Sequence, residues 1–268
     1  MSSWSAEQVL RALKQFDASK MSDDVKRIVT AEYELVRFPQ RLLSPTFPAA
    51  QVLWSDFTRP FDAVFEEVAR RVQGWNLDAV HWWVTSATRP NDTESQLVLR
   101  GGERSDTFLI LARDLAGDTA NPRVDEGVTV ELVRDERTLR DAVVVETLGW
   151  GRSMPSEETL DQRLLDALRD LEEWVEFQVV ASVNGDPTAT GRCTIVGDVA
   201  RLWGAVTLPE FRRRGCYQAV LSRRTRLAVE HGATLALTRG RPLTSGPLLI
   251  RAGFTVYGEE RCYGLAII

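Results

Sequence analysis

The sequence predicts a mixed α/β (α+β) protein whose second half is the better-defined domain. Two patterns carry that prediction: three successive strands divided by tight-turn signals, and a strand that runs through an arginine- and glycine-bearing loop straight into a long helix. A third observation sets the organisation. The polar stretch 117–127, with Gly117, Pro122 and Gly127, separates two apolar runs and reads as an interdomain linker. The expected division is therefore a smaller domain over 1–116, the linker, and a main domain over 128–268.

The main domain opens with a strand over 128–133, a helix over about 136–148 and a loop holding Gly149, Gly151 and Pro155. Ser156, with Glu158 and Thr159, starts an acidic helix whose Leu160, Leu164, Leu165, Leu168 and Leu171 recur at spacings of three and four, as one apolar face requires. Strands over 175–183, 190–196 and 200–208 follow, with turns at Asn184-Gly185 and Gly197-Asp198, so they form an antiparallel meander. A long helix over 217–231 stops at Gly232, a residue suited to the position past a helix end. A strand over 234–238, a short helix over 245–251 ending at Gly253, and two strands over 254–257 and 261–267 joined at Gly258 complete it.

The N-terminal half predicts a helix over 6–16 and short strands over 33–38 and 51–54. A helix over 61–73, a strand over 79–85, a short helix over 94–100 and a strand over 107–112 then repeat the helix–strand–helix–strand order that closes the chain. Trp82 and Trp83 are adjacent on a strand and point to opposite faces, so at most one faces the main core.

Composition narrows the function. With 44% hydrophobic and 26% charged residues the 268-residue chain is an ordinary folded protein. No apolar run approaches the roughly 18 residues that span a bilayer, and the first residues lack a basic segment followed by an apolar one, so no membrane association and a cytoplasmic location are expected. A net charge of -5 argues against nucleic acid as a partner. Only His81 and His231 are present, which leaves little for a histidine metal site or a Ser-His-Asp triad, and no metal is expected. Cys193, Cys216 and Cys262 have no metal-ligand spacing and are expected as free thiols.

The chemistry concentrates in Phe211-Arg212-Arg213-Arg214-Gly215-Cys216-Tyr217, which joins a strand to a helix. N–H groups at a helix start lack intrahelical partners and face the positive end of the dipole, so they accept an anion. Gly215 allows a tight turn and a close approach, and the arginines supply forked donors for phosphate oxygens. On these residues alone, a solvated charge run ahead of a helix is an equal reading.

The segment resembles the acetyl-CoA loop of GNAT N-acetyltransferases, Gln/Arg-x-x-Gly-x-Gly/Ala, with Arg212 and Gly215 matching and Tyr217 departing at the third fixed position. Ser245-Gly246-Pro247-Leu248-Leu249-Ile250-Arg251-Ala252-Gly253-Phe254 is similar to that family's closing helix and Gly-Phe. The resemblance covers about 128–268 and implies a GNAT fold, a mixed and largely antiparallel twisted sheet flanked by helices, with acetyl-CoA as co-substrate. It implies backbone contacts to pantetheine from Val206, Thr207 and Leu208, with a Val206 or Thr207 amide polarising the thioester carbonyl. It places the nucleotide near Arg212, Arg213, Arg214, Gly215, Cys216, Tyr217, Gln218 and Ser245. The N-terminal half has Ser55-Asp56-Phe57-Thr58-Arg59-Pro60 where a cofactor loop would stand, which resembles tandem GNAT proteins with one degenerate copy.

The reaction implied is attack of an amine, on a small molecule or a peptide, on the acetyl thioester. The position where many relatives carry a tyrosine acid holds Leu249, so an acyl-CoA-binding protein without turnover is the alternative. Tyr257 and Tyr263 are substitute donors, or else strand packing. Glu146 and Glu176 are the candidate bases, or else ordinary carboxylates. Trp150, between the first two helices of the domain, is the expected acceptor contact, against a core role. Arg223, Arg224 and Arg226 either reach a phosphate or solubilise the helix. A homodimer is compatible with these features.

Overall fold

The structure is a computed structural model that describes residues 4–14, 25–39, 49–116 and 127–267. The expected linker, apart from Gly127, and the last two residues of the first expected helix lie outside the described residues. The chain divides into two compact units.

The first unit comprises Ala6–Leu111, Gly240–Ile250 and Val256–Ile268. It contains α1 (Ala6–Lys14), β1 (Lys26–Val29), β2 (Tyr33–Arg37), β3 (Ala50–Ser55), α2 (Phe61–Gln73), β4 (Ala79–Thr85), α3 (Thr93–Leu99) and most of β5 (Glu103–Asp114). From the far end of the chain come α7 (Ser245–Arg251) and β11 (Thr255–Ala266). The strand order is β1-β2-β3-β4-β11-β5. Phe61, Val64, Val68 and Val72 recur every three or four residues and bury one side of α2. They pack with Trp82, Tyr263 and Leu265 in one core. Trp82 is fully buried, its ring 5.6 Å from that of Phe61, whereas Trp83 on the other face meets Phe108 at 5.9 Å.

Two expectations change here. The closing residues form one twelve-residue strand, not two strands joined at Gly258, because a lone glycine does not interrupt a ladder held by its neighbours. That strand also leaves the C-terminal segment: β11 pairs antiparallel with β4, with Cys262 opposite Trp83 and Gly264 opposite His81. Residues 240–250 and 256–268 thus group with the N-terminal half rather than with 128–239.

The second unit is built mainly from Ala112–Arg239 with Arg251–Thr255. It holds β6 (Val128–Leu132), α4 (Glu136–Trp150), α5 (Glu157–Glu172), β7 (Glu176–Val183), β8 (Asp186–Val196), β9 (Val199–Thr207), α6 (Cys216–Glu230) and β10 (Leu235–Gly240), with strand order β10-β9-β8-β7-β6. Asp135 starts α4 by accepting the Thr138 N–H at 2.8 Å, and Ser156 starts α5 by accepting that of Thr159 at 3.3 Å. Leu139, Ala142 and Val143 of α4 pack with Leu160 of α5 and with Val133 and Val180.

The β6–β9 meander is antiparallel throughout, while β9 and β10 run parallel around α6. The first unit has its own parallel crossover, β3–α2–β4. All three cysteines are free and buried. Among the described residues no helix is long and apolar enough to cross a membrane.

Candidate functional site

β9 is held on one side only for its second half. Its pairing with β10 runs from Val199–Leu235 to Leu202–Thr238 and stops, whereas the β8 ladder continues to Thr207. The Thr238 hydroxyl donates to the Leu202 carbonyl at 2.8 Å and marks the last rung. Beyond it the register with β8 slips: Thr190 faces Val206 and Arg192 faces Trp203, so Gly191 opposes both Gly204 and Ala205. This is a β-bulge, and Gly204 takes it at φ +60°, a left-handed conformation that a side chain would strain.

Arg224 of α6 locks the bulge from beneath. It is fully buried, and its Nη1 donates to the carbonyls of Arg192 at 2.9 Å and Trp203 at 3.3 Å. Gly191 makes room, since a Cβ there would lie 2.9 Å from the guanidinium carbon. Burial lowers the Arg224 pKa. Arg224 is thus neither a phosphate contact nor a solubilising residue, because its position on the apolar stripe of α6 turns it into the sheet.

Past β9 the chain makes a short 3-10 turn, Pro209–Phe211, extends at Arg212, and takes left-handed conformations at Arg213 (φ 65°) and Gly215 (φ 79°) before α6 begins. No side chain caps α6. Arg212, Arg213 and Arg214 are exposed, with Arg214 5.5 Å over the Phe211 ring. Cys216 is buried; Tyr217 and Gln218 are partly buried, and burial raises the Tyr217 pKa. Val206 and Thr207 are partly buried, and the Thr207 Oγ1 is a buried hydroxyl with no hydrogen-bond partner. The Leu208 N–H donates to the Thr188 carbonyl at 2.9 Å and its own carbonyl accepts from Phe211 at 3.0 Å.

Beside the bulge lies a network of charges. Glu146 of α4 accepts from Arg163 at 2.8 Å, Arg192 at 3.2 Å and Gln178 at 2.9 Å. Arg192 also reaches Glu176 at 3.3 Å and stacks 5.4 Å from the Trp203 ring, whose N–H donates to Thr194 at 2.9 Å. Burial pushes the Glu146 pKa up, but Arg192 and Arg163 together outweigh it and hold the carboxyl below the ordinary range. A buried carboxylate fixed by two guanidiniums is a poor base, which counts against Glu146 in that role. Burial raises the pKa of Glu176, and Arg192 and Thr194 oppose it only in part.

The signs of these shifts give a pH prediction. A depressed folded pKa means that Glu146 adds stability above its unfolded value of about 4.3, lost as pH falls through the folded pKa. Glu176 acts oppositely, its contribution being present below the unfolded value and lost as pH rises through the raised one. The stability gap between wild type and Glu146→Gln should therefore narrow from about pH 6 to about pH 3 in urea titrations. A gap independent of pH would show that Glu146 is not the acid-sensitive group.

Trp150 sits at the end of α4 directly over the bulge. A Cβ on Gly149 would lie 2.4 Å from a Val206 methyl, and the Trp150 Cη2 is 3.9 Å from the Cβ position of Gly204. Trp203, which sequence reasoning missed, borders the same glycine; its signal was a tryptophan beside a glycine in the strand before the loop. Tyr257, Tyr263 and Ser245 belong to the first unit. Tyr263 is core there and its hydroxyl donates to Glu94, while the Ser245 hydroxyl accepts the Arg241 N–H at 2.8 Å. Among the described residues no cluster of histidine, cysteine and carboxylate side chains could hold a metal.

The fold is that of solved GCN5-related N-acetyltransferases. A solved structure of such a protein from Kribbella flavida is similar, with TM-score 0.65 and 18% identity over 89% of this chain and 88% of that one. One from Sphaerobacter thermophilus gives TM-score 0.66 and 15% identity over 99% and 86%. A tandem GNAT protein from the clavulanic acid biosynthesis pathway gives 0.60 and 14% over 88% and 78%. No protein-family model matches the sequence, and no curated protein does.

Proposed function

We propose that the chain is an N-acetyltransferase that uses acetyl-CoA to acetylate a primary amine. The observation that carries this reading is the wedge. β9 loses β10 after Leu202, the buried Thr207 hydroxyl near its end has no hydrogen-bond partner, and the chain then passes three exposed arginines into α6, whose start no side chain caps. A pantetheine arm supplies amides for such an edge, and a pyrophosphate suits such a helix start.

In the reaction the amine nitrogen attacks the thioester carbonyl carbon, whose oxygen is polarised by an amide of Val206 or Thr207. The carbon–sulfur bond breaks, coenzyme A leaves as the thiolate, and the amine proton passes through water to Glu176. The first unit is read as a copy without cofactor: the start of α2 follows Asp56 and carries Asp62 in its first turn, which would repel a phosphate. Acyl-CoA binding without turnover is the second reading, favoured by the buried, apolar Leu249 and by a Tyr263 already bonded to Glu94.

Calorimetry with CoA and thiol release from acetyl-CoA over a panel of amines separate these. CoA binding with turnover, reduced in Glu176→Gln at unchanged CoA affinity, is the expected result. Binding without turnover on any amine would leave the second reading, and no CoA binding would remove both.

A further inference from the structure

We infer that the acceptor is an amine that also carries a carboxylate, an α-amino acid with a flat or bulky apolar side chain, bound by Arg152 and the Trp150–Trp203 pair. This rests on the transferase reading and specifies its substrate.

Both indoles are large, apolar and open to solvent, Trp150 at 38% and Trp203 at 46% exposure. Both flank Gly204 at the bulge, beside the strand whose amides would hold the acetyl group. Solvent-facing tryptophans that are held rigid supply contact area at small entropic cost. Trp203 is held rigid by its bond to Thr194 and its stack on Arg192, and Trp150 by the close fit of Gly149 on Val206. Leu148 and Met154, on and just after α4, are also exposed, so apolar surface is concentrated at this end of the helix.

The charge at this place decides the polar part of the ligand. Glu146 and Glu176 offset Arg163 and Arg192. Arg152 is different: it is exposed, its guanidinium lies 4.9 Å over the Trp150 ring, and no carboxylate among the described residues pairs with it. A planar cation already stacked on an indole is pre-ordered to take a carboxylate in two parallel hydrogen bonds. A polyamine would instead bring its charges against Arg152. An amino acid satisfies all three groups, with its carboxylate on Arg152, its side chain against the indoles and its amine toward the wedge.

Thiol release by the full-length protein tests this with L-tryptophan and L-phenylalanine against tryptamine, phenylethylamine, phenylalaninamide and spermidine. The amino acids should exceed their carboxylate-free counterparts in kcat/KM by about tenfold or more. Arg152→Gln should erase that margin through KM, leaving kcat and CoA affinity unchanged, while Arg152→Lys retains part of it. Calorimetric binding of L-tryptophan to wild type and Arg152→Gln decides the point without turnover. If CoA does not bind, the transferase reading fails on its own, and loss of L-tryptophan affinity in Arg152→Gln still supports the site. Equal or better use of the carboxylate-free amines, or an unchanged margin or affinity in Arg152→Gln, would overturn the inference.

Discussion

Replacing Gly215 with valine should weaken CoA binding by at least ~100-fold while the protein stays folded. Gly215 lies at φ 79° immediately before α6, whose first N–H groups no side chain caps. Valine in that region costs about 1–3 kcal/mol, and the loop can relieve this only by rotating out of it. Rotation turns the amides away from the pyrophosphate, and each charge-assisted bond so lost is worth about 1.5–3 kcal/mol. Arg213 already holds a left-handed φ of 65° two residues earlier, so the turn has little freedom left with which to compensate. Calorimetry reads the affinity and thermal unfolding reads the fold. Unchanged affinity in a folded variant would mean that the phosphates are not cradled by this loop.

Arg192→Leu should destabilise the protein by about 3 kcal/mol, far more than loss of an ordinary surface arginine. Arg192 is the cation that Glu146 and Glu176 share, and it packs its stem against Gly204 and its guanidinium on Trp203. Leucine would leave Glu176 without its guanidinium and Glu146 with Arg163 alone, in surroundings where an uncompensated carboxylate is costly. Urea unfolding at neutral pH measures the loss. A change under about 1 kcal/mol would show that water reaches these carboxylates freely.

Much of this was legible in the chain. The meander, the acidic helix after Ser156 and the long helix that stops at Gly232 follow from periodicity and turn chemistry, which act over a few residues. What escaped acts at long range. The pairing of β11 with β4 joins residues some 180 positions apart, and no local pattern encodes a partner that distant. Glu146 and Arg224 were misread for a different reason. Each occupies a stripe position, Glu146 after Leu139, Ala142 and Val143, and Arg224 between Val220 and Ala228, where a charged residue signals a buried partner rather than a solvated one. The bulge at Gly204 left only a lone glycine as its trace.

The place of β11 bears on how the protein comes to exist. Its residues are made after every other described strand, yet they fill the gap between β4 and β5. On the ribosome the N-terminal half emerges and waits with two strand edges unsatisfied until β11 has been made. A premature stop ahead of β11 would therefore injure the half of the molecule synthesised earlier, and leave the complete run of residues 128–239 nearly untouched.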